Sequence, residues 1–264
     1  MTFSCTMKIS YELNPPKIVR AERFDVEQLR GDIQVMVDRA SKLADVACGV
    51  HLTDSVLGIP RISSVAAAAH IQKFLGANTP ILSCSIRSRD RNYTSLCQAT
   101  SDAILAEVDS LLILLGDEPA DKPGDSGLRP SAAVSMLKKE GYDSKIKLDL
   151  SFPARIKDCS AKSVQKKLDA RPHSFVTQSI SSLSDLGEIV DLAKPHGIKV
   201  AAVVMVPSEN NRRSASMIGL DWSAYEKNVA DFARQAALIA DRILLTSPNS
   251  FKSGLELLRQ LKQA

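Results

Sequence analysis

Short apolar runs alternate with amphipathic stretches along the whole chain. The apolar runs, read as strands, are 7–13, 46–50, 80–86, 111–115, 146–150, 174–178, 199–206 and 243–246. Several are almost continuously hydrophobic, the pattern of parallel strands covered on both faces. Between them, apolar positions recur at helical spacing over 26–43, 64–75, 93–107, 130–139, 161–170 and 183–193. Asp25 with Gln28 has the form of a capping box, and Gly76 suits the left-handed position that ends the Ala-rich second helix. Pro195 and Gly197 stop the sixth. The longer interval before the last strand holds two helical patterns, 212–217 and 224–240, and a final one, 254–262, ends the chain.

Strict β-α alternation requires a parallel sheet with right-handed crossovers, either closed into a barrel or open and doubly wound. The open sheet calls for a Gly-x-Gly-x-x-Gly turn after its first strand. Here that turn reads Asn14-Pro15-Pro16-Lys17. A length of 264 residues matches the typical ~250 of a barrel. No Ser/Gly-rich linker or charge block interrupts the rhythm. The expected fold is α/β, a single (β/α)8 TIM barrel over residues 1–264, with an extra helix before the eighth strand.

Composition narrows the partners. The chain is 44% hydrophobic and 24% charged, ordinary for a globular protein, and its net charge is only +4 (34 basic, 30 acidic residues). That balance argues against nucleic acid and suits an anionic small molecule. No apolar run approaches the ~20 residues of a membrane span, and residues 1–10 lack the form of a signal peptide, so a cytoplasmic location is expected. Cys5, Cys48, Cys84, Cys97 and Cys159 are scattered, without the spacing of a disulfide framework or a zinc site, so no metal is expected. Cys48 and Cys84 lie in apolar runs and read as buried small hydrophobes. The four histidines are far apart in sequence, and the phosphate-loop, zinc-protease and nucleophile-elbow motifs are missing.

In a barrel, chemistry belongs at the carboxyl ends of the strands. Those ends carry Glu12, Thr53-Asp54-Ser55, Ser85 and Arg87, Gly116-Asp117, Ser151, Thr177-Gln178, Ser208-Glu209-Asn210 and Thr246-Ser247-Pro248-Asn249. Glu12 sits within an apolar strand. It is either a strand glutamate in water or a desolvated carboxylic acid whose raised pKa suits general-acid work. Asp117 follows an all-apolar strand and Gly116; it reads as a turn aspartate or as a ligand contact. Gln178 can offer both donor and acceptor to a heterocycle edge, or pack on loop backbone. The run Arg87-Ser88-Arg89-Asp90-Arg91-Asn92 opens a helix and is either an anion site or a solvated basic turn.

Taken in order, these residues resemble the methylenetetrahydrofolate reductase family. The resemblance is carried by Tyr11-Glu12-Leu13-Asn14-Pro15-Pro16-Lys17, by Thr53-Asp54-Ser55 with Gly58 and Arg61, and by Leu82-Ser83-Cys84 followed by Arg89-Asp90-Arg91-Asn92. Leu114-Leu115-Gly116-Asp117-Glu118-Pro119 and Lys166-Lys167-Leu168-Asp169-Ala170 leading to Val176-Thr177-Gln178 complete it, so that it spans nearly the whole chain. It implies a reductase that passes hydride from NADH or NADPH through FAD to the methylene carbon of a folate or related tetrahydropterin. On this resemblance Glu12 and Asp117 are catalytic, and Gln178, Asp117 and Ser208 bind substrate. Thr53, Ser85, Arg87, Arg89, Asp117, Phe152 and Lys167 would hold the cofactor. The chain departs from the family at Leu115, where an arginine is common, at Ile81, where a histidine is common, at Phe152 and Arg155, and over Ser208-Glu209-Asn210-Asn211. A flavin-independent or tetrahydromethanopterin-type methylene reductase, and a non-catalytic pterin- or partner-binding barrel, are the alternatives. A homo-oligomer or an electron-transfer partner is compatible with each.

Overall fold

The structure is a computed structural model and describes residues 7–19, 23–118 and 124–263. Cys5 and Pro119, named above, lie outside the described residues. Eight parallel strands close into a barrel in the order β1-β2-β3-β4-β5-β6-β7-β8, the (β/α)8 TIM barrel. The strands are β1 Ile9–Leu13, β2 Gly49–Leu52, β3 Ile81–Arg87, β4 Ser110–Leu114, β5 Lys147–Phe152, β6 Ser174–Ser179, β7 Lys199–Met205 and β8 Arg242–Thr246. The helices are α1 Val26–Ala44, α2 Ser64–Leu75, α3 Tyr93–Leu105, α4 Pro130–Lys139, α5 Ala161–Asp169, α6 Leu183–Ala193, α7 Glu209–Met217, α8 Val229–Ile239 and α9 Phe251–Lys262. The extra helix expected before the last strand is present, since α7 and α8 both lie between β7 and β8.

Most elements fall where the hydrophobic pattern places them, and the differences have local causes. β2 lies at Gly49–Leu52 rather than 46–50. Its apolar run is interrupted by His51, which is buried because both ring nitrogens find hydroxyl partners on β3. Cys48, read as part of that strand, precedes it and is only half-buried, while Cys84 is buried as expected. At α1, Asp25 accepts from the amides of Glu27 and Gln28. α7 starts at Glu209 because the Ser208 hydroxyl accepts from the Asn211 amide at 3.3 Å. α9 starts at Phe251 rather than at Gly254, and that glycine lies inside the helix. A Cβ there would come within 2.7 Å of Tyr11 Cζ, so the glycine admits the tyrosine ring.

The chain forms two compact units. The first comprises the chain up to Glu12, Val46–Cys48, and the chain from Phe152 onward. Its ladder pairs β6 with β7, β7 with β8, and β8 with β1, the last in the register Ile9↔Ile243 and Tyr11↔Leu245. Tyr11 packs edge-on against Phe251 of α9 at 5.8 Å. Because successive strand residues face opposite ways, Glu12 is turned away from α9 and stands beside Thr246. In β6 the pairing slips between Val176 and Ser179. Thr177 Oγ1 there accepts from the Val203 amide at 3.0 Å, and Gln178 is exposed.

The second unit comprises Leu13–Asp45 and Gly49–Ser151. β2, β3, β4 and β5 pair in sequence order. Buried aliphatic residues, among them Leu43, Ile71, Leu96, Leu111 and Leu137, fill the contacts between its helices and strands. The Pro-Pro turn after β1 is tied to the β2–α2 loop. Ile62 N donates to Pro16 O at 3.1 Å, and Arg61 Nη1 donates to Pro15 O at 2.6 Å.

Candidate active site

In the first unit the candidate chemistry centres on Glu12 at the carboxyl end of β1. The β8–β1 register brings the Thr246 hydroxyl to donate to Glu12 Oε1 at 2.7 Å. Loss of solvation around the carboxyl pushes its pKa above the ordinary 4.5, and the Thr246 hydrogen bond only partly opposes that rise. The side chain is nevertheless half-buried rather than sealed, so a ligand can reach it. Glu12 is thus a carboxyl whose pKa is raised by burial, with Thr246 as a defined hydrogen-bond partner.

The loops after β7 and β8 are clasped by Asn211, which is fully buried. Its amide nitrogen donates to Val206 O at 2.9 Å and Ser247 Oγ at 2.8 Å, and its carbonyl accepts from the Asn249 amide at 3.0 Å. Ser208, expected to contact substrate, caps α7. Lys167, expected at a cofactor phosphate, lies on α5 with its ammonium 5.9 Å above the ring of Phe152. Burial lowers its pKa, so its charge is poorly solvated there. Phe152 is itself buried and packs on Phe175 at 4.6 Å.

In the second unit the site is built around the β2–α2 loop and Asp117. Ser55 (φ 43°) and Leu57 (φ 59°) both adopt the left-handed conformation that side chains disfavour. Strain of this kind persists only where surrounding groups hold it, and it concentrates at functional sites. Three groups hold it here. Asp117 Oδ2 accepts from the Leu57 amide at 2.7 Å, Arg87 Nη1 donates to Ser55 O at 2.7 Å, and the Gly58 amide donates to Ser55 O at 3.1 Å. Arg87 Nη2 also donates to Asp117 O at 2.6 Å, and its Nε lies 2.7 Å from Asp90 Oδ2. The side chain of Arg87 is 2% exposed.

The basic run is therefore a brace. Arg89 Nε donates to Gly116 O at 3.1 Å, and Arg91 Nη2 lies 3.4 Å from Asp54 Oδ2. Thr53 Oγ1 donates to Asn14 Oδ1 at 2.7 Å. Ser85 pairs with His51 Nε2 at 2.8 Å, while Ser83 meets His51 Nδ1 at 2.9 Å. The Ser83–His51–Ser85 cluster was hidden in the sequence. His51 has no ligand-type neighbour along the chain, and only the β2–β3 register, His51↔Ser83, brings the serines to it. Asn211 gave no sequence signal either, beyond standing in a polar loop after an apolar strand.

These contacts bear directly on a flavin. Of the residues nominated to hold one, Thr53, Ser85, Arg87 and Arg89 each make a hydrogen bond to a protein partner, Phe152 is buried, and Lys167 is desolvated on α5. Asp117 among them has an exposed carboxylate with one oxygen, Oδ1, outside the Leu57 contact. Most of these side chains already serve the protein's own contacts. The guanidinium against Gly116-Asp117 comes from Arg87 on β3. Among the described residues no cluster of His, Cys, Asp and Glu could hold a metal ion, and no helix is long and apolar enough to cross a membrane. A groove of about 490 Å³ lined by Tyr93, Cys97, Ser101, Glu140 and Tyr142 lies along α3.

No protein-family model matches the chain, and no curated protein matches it in sequence. Solved structures match it in fold. Deoxyribose phosphate aldolase from Aeropyrum pernix is 15% identical with a TM-score of 0.57, over 96% of this chain and 90% of that one. 3-Keto-L-gulonate-6-phosphate decarboxylase from Vibrio cholerae is 10% identical with a TM-score of 0.55, over 97% of each chain. A thermostable aldo-keto reductase is 8% identical with a TM-score of 0.58, over 96% of this chain and 89% of that one. The chain is thus a TIM-barrel protein whose structural neighbours are enzymes of several classes. At such identities the likeness establishes the fold, and function must be argued from the site.

Proposed function

We propose that the protein reduces a methylene-tetrahydropterin, 5,10-methylenetetrahydrofolate or its tetrahydromethanopterin counterpart, to the 5-methyl form. Glu12 is the general acid, and Asp117 and Gln178 are substrate contacts. The observation that carries this reading is the desolvated carboxyl of Glu12 at the end of β1, with its pKa raised by burial and its Oε1 held by Thr246. Opening the imidazolidine ring requires a proton on the leaving nitrogen. A carboxylic acid whose pKa is raised by desolvation supplies it. The C–N bond breaks toward that nitrogen, leaving an iminium carbon, and hydride from the donor completes the methyl group. Asp117, with Oδ1 outside the Leu57 contact, can accept from ring N–H groups of a pterin, and exposed Gln178 can read its amide edge.

The committed donors around Asp117 favour a version without resident flavin, in which a soluble carrier such as NADH or NADPH delivers hydride directly. The order of motifs supports the methylene-carrier chemistry in either version. The test is anaerobic turnover of each methylene-tetrahydropterin with NADH or NADPH, with and without added FAD. Methyl product from the colourless wild-type protein, lost in Glu12→Gln while tetrahydropterin binding remains, is the expected result. Wild-type turnover in Glu12→Gln, or no product from any combination, refutes the proposal. A yellow protein releasing flavin on denaturation restores the flavin route.

A further inference from the structure

We infer that Arg87 is the positioning residue of this site, setting the Asp117 carboxylate and the β2–α2 loop in one arrangement by gripping a backbone carbonyl of each. The inference rests on the reading of Asp117 as a substrate contact. A guanidinium taken out of water is retained only where hydrogen bonds and a counter-charge replace its hydration. Arg87 has both: the carbonyls of Ser55 and Asp117 at 2.7 and 2.6 Å, and the Asp90 carboxylate at 2.7 Å. Its planar fork holds two carbonyls from two loops at a set separation, which a single ammonium cannot do.

Gly116 belongs to the same device. It has φ +87°, and a Cβ there would lie 2.6 Å from Arg87 Nε and 2.8 Å from Arg87 Cγ. The bare backbone before Asp117 is what lets the guanidinium lie against it. The second link is the 2.7 Å bond from the Leu57 amide to Asp117 Oδ2. That amide is presented by a residue in a left-handed conformation, two residues after Ser55, which is left-handed too. Freed of Arg87, the loop can relax, withdraw the Leu57 amide, and leave the carboxylate without its orienting donor. Arg87 touches no substrate on this account; it acts through Asp117.

The test uses Arg87→Met and Arg87→Lys in the full chain, with amide hydrogen exchange of residues 53–58, exchange of β7 as reference, and methylene-reduction kinetics. Loss of charge-assisted hydrogen bonds should speed loop exchange by at least about tenfold in Arg87→Met with β7 unchanged, and Arg87→Lys should recover part of it. The kcat should fall by at least about tenfold in Arg87→Met with KM for the hydride donor unmoved, and Asp117→Asn should cost less in that background than in wild type. Wild-type loop exchange in Arg87→Met overturns the inference, as do fully additive Arg87 and Asp117 losses. If Arg87→Met does not fold, Arg87→Lys decides by the same exchange criterion. If wild-type protein shows no methylene reduction, the proposed function falls by itself, and loop exchange still decides whether Arg87 positions the loop and Asp117.

Discussion

Replacing Glu12 by Gln turns a half-buried acid into an isosteric amide that still accepts from Thr246 but cannot titrate. Burial raises the Glu12 pKa above its ordinary 4.5. Below 4.5 the folded and unfolded states both hold the proton, and the group has no effect on the pH dependence of stability. Between 4.5 and the raised value the folded state keeps a proton that the unfolded chain has released. Stability in that window therefore falls as pH rises, by about 1.4 kcal/mol for each pH unit from this group. Above the raised value both states are ionised and the loss is constant. Glu12→Gln removes this term, so the variant's stability relative to wild type should climb through the window with that slope and then level off. Urea unfolding of both proteins from about pH 4 to about pH 8 measures the difference directly. A difference that stays flat would mean that the carboxyl is not desolvated. One that falls with pH would mean that Glu12 is ionised and stabilised as an anion, and either outcome refutes the general-acid reading. Wild-type kcat should likewise decline as pH rises through the same value, because the acid form is the proton donor.

Two further substitutions test the packing of the site. Gly116→Ala should destabilise the protein by about 2–4 kcal/mol in urea unfolding, combining a left-handed alanine with displacement of the buried Arg87 side chain. An unchanged midpoint would show that the two do not interlock. Asn211→Ala should cost about 2–4 kcal/mol, because the Val206 and Ser247 acceptors and the Asn249 donor lose their buried partner. A crystal structure of that variant with ordered water in place of the amide would account for a smaller loss.

Much of the fold was legible because its cause is local. Parallel strands covered on both faces must be apolar throughout, and helices between them must be amphipathic, so period and order suffice to suggest a barrel. The errors came where a side chain broke the local rule for a distant reason. His51 made β2 look as if it ended early, yet it is buried because Ser83 and Ser85 of β3 face it. Gly254 resembled a helix start but lies inside α9 to admit Tyr11. For the site, the sequence marked Glu12 and Asp117 as carboxylates at strand ends but could not state their environments.

Residue order along the chain determined which groups stand at the carboxyl ends of β1 and β4, since that depends only on strand length and alternation. Tertiary structure alone decided what those groups can do. The hydrogen bond that Glu12 accepts depends on the β8–β1 register that brings Thr246 beside it. The engagement of Arg87, Arg89, Thr53 and Ser85 depends on loops far apart in sequence. A residue's charge is written in the chain, but whether that charge is free to meet a ligand depends on the neighbours that folding brings to it.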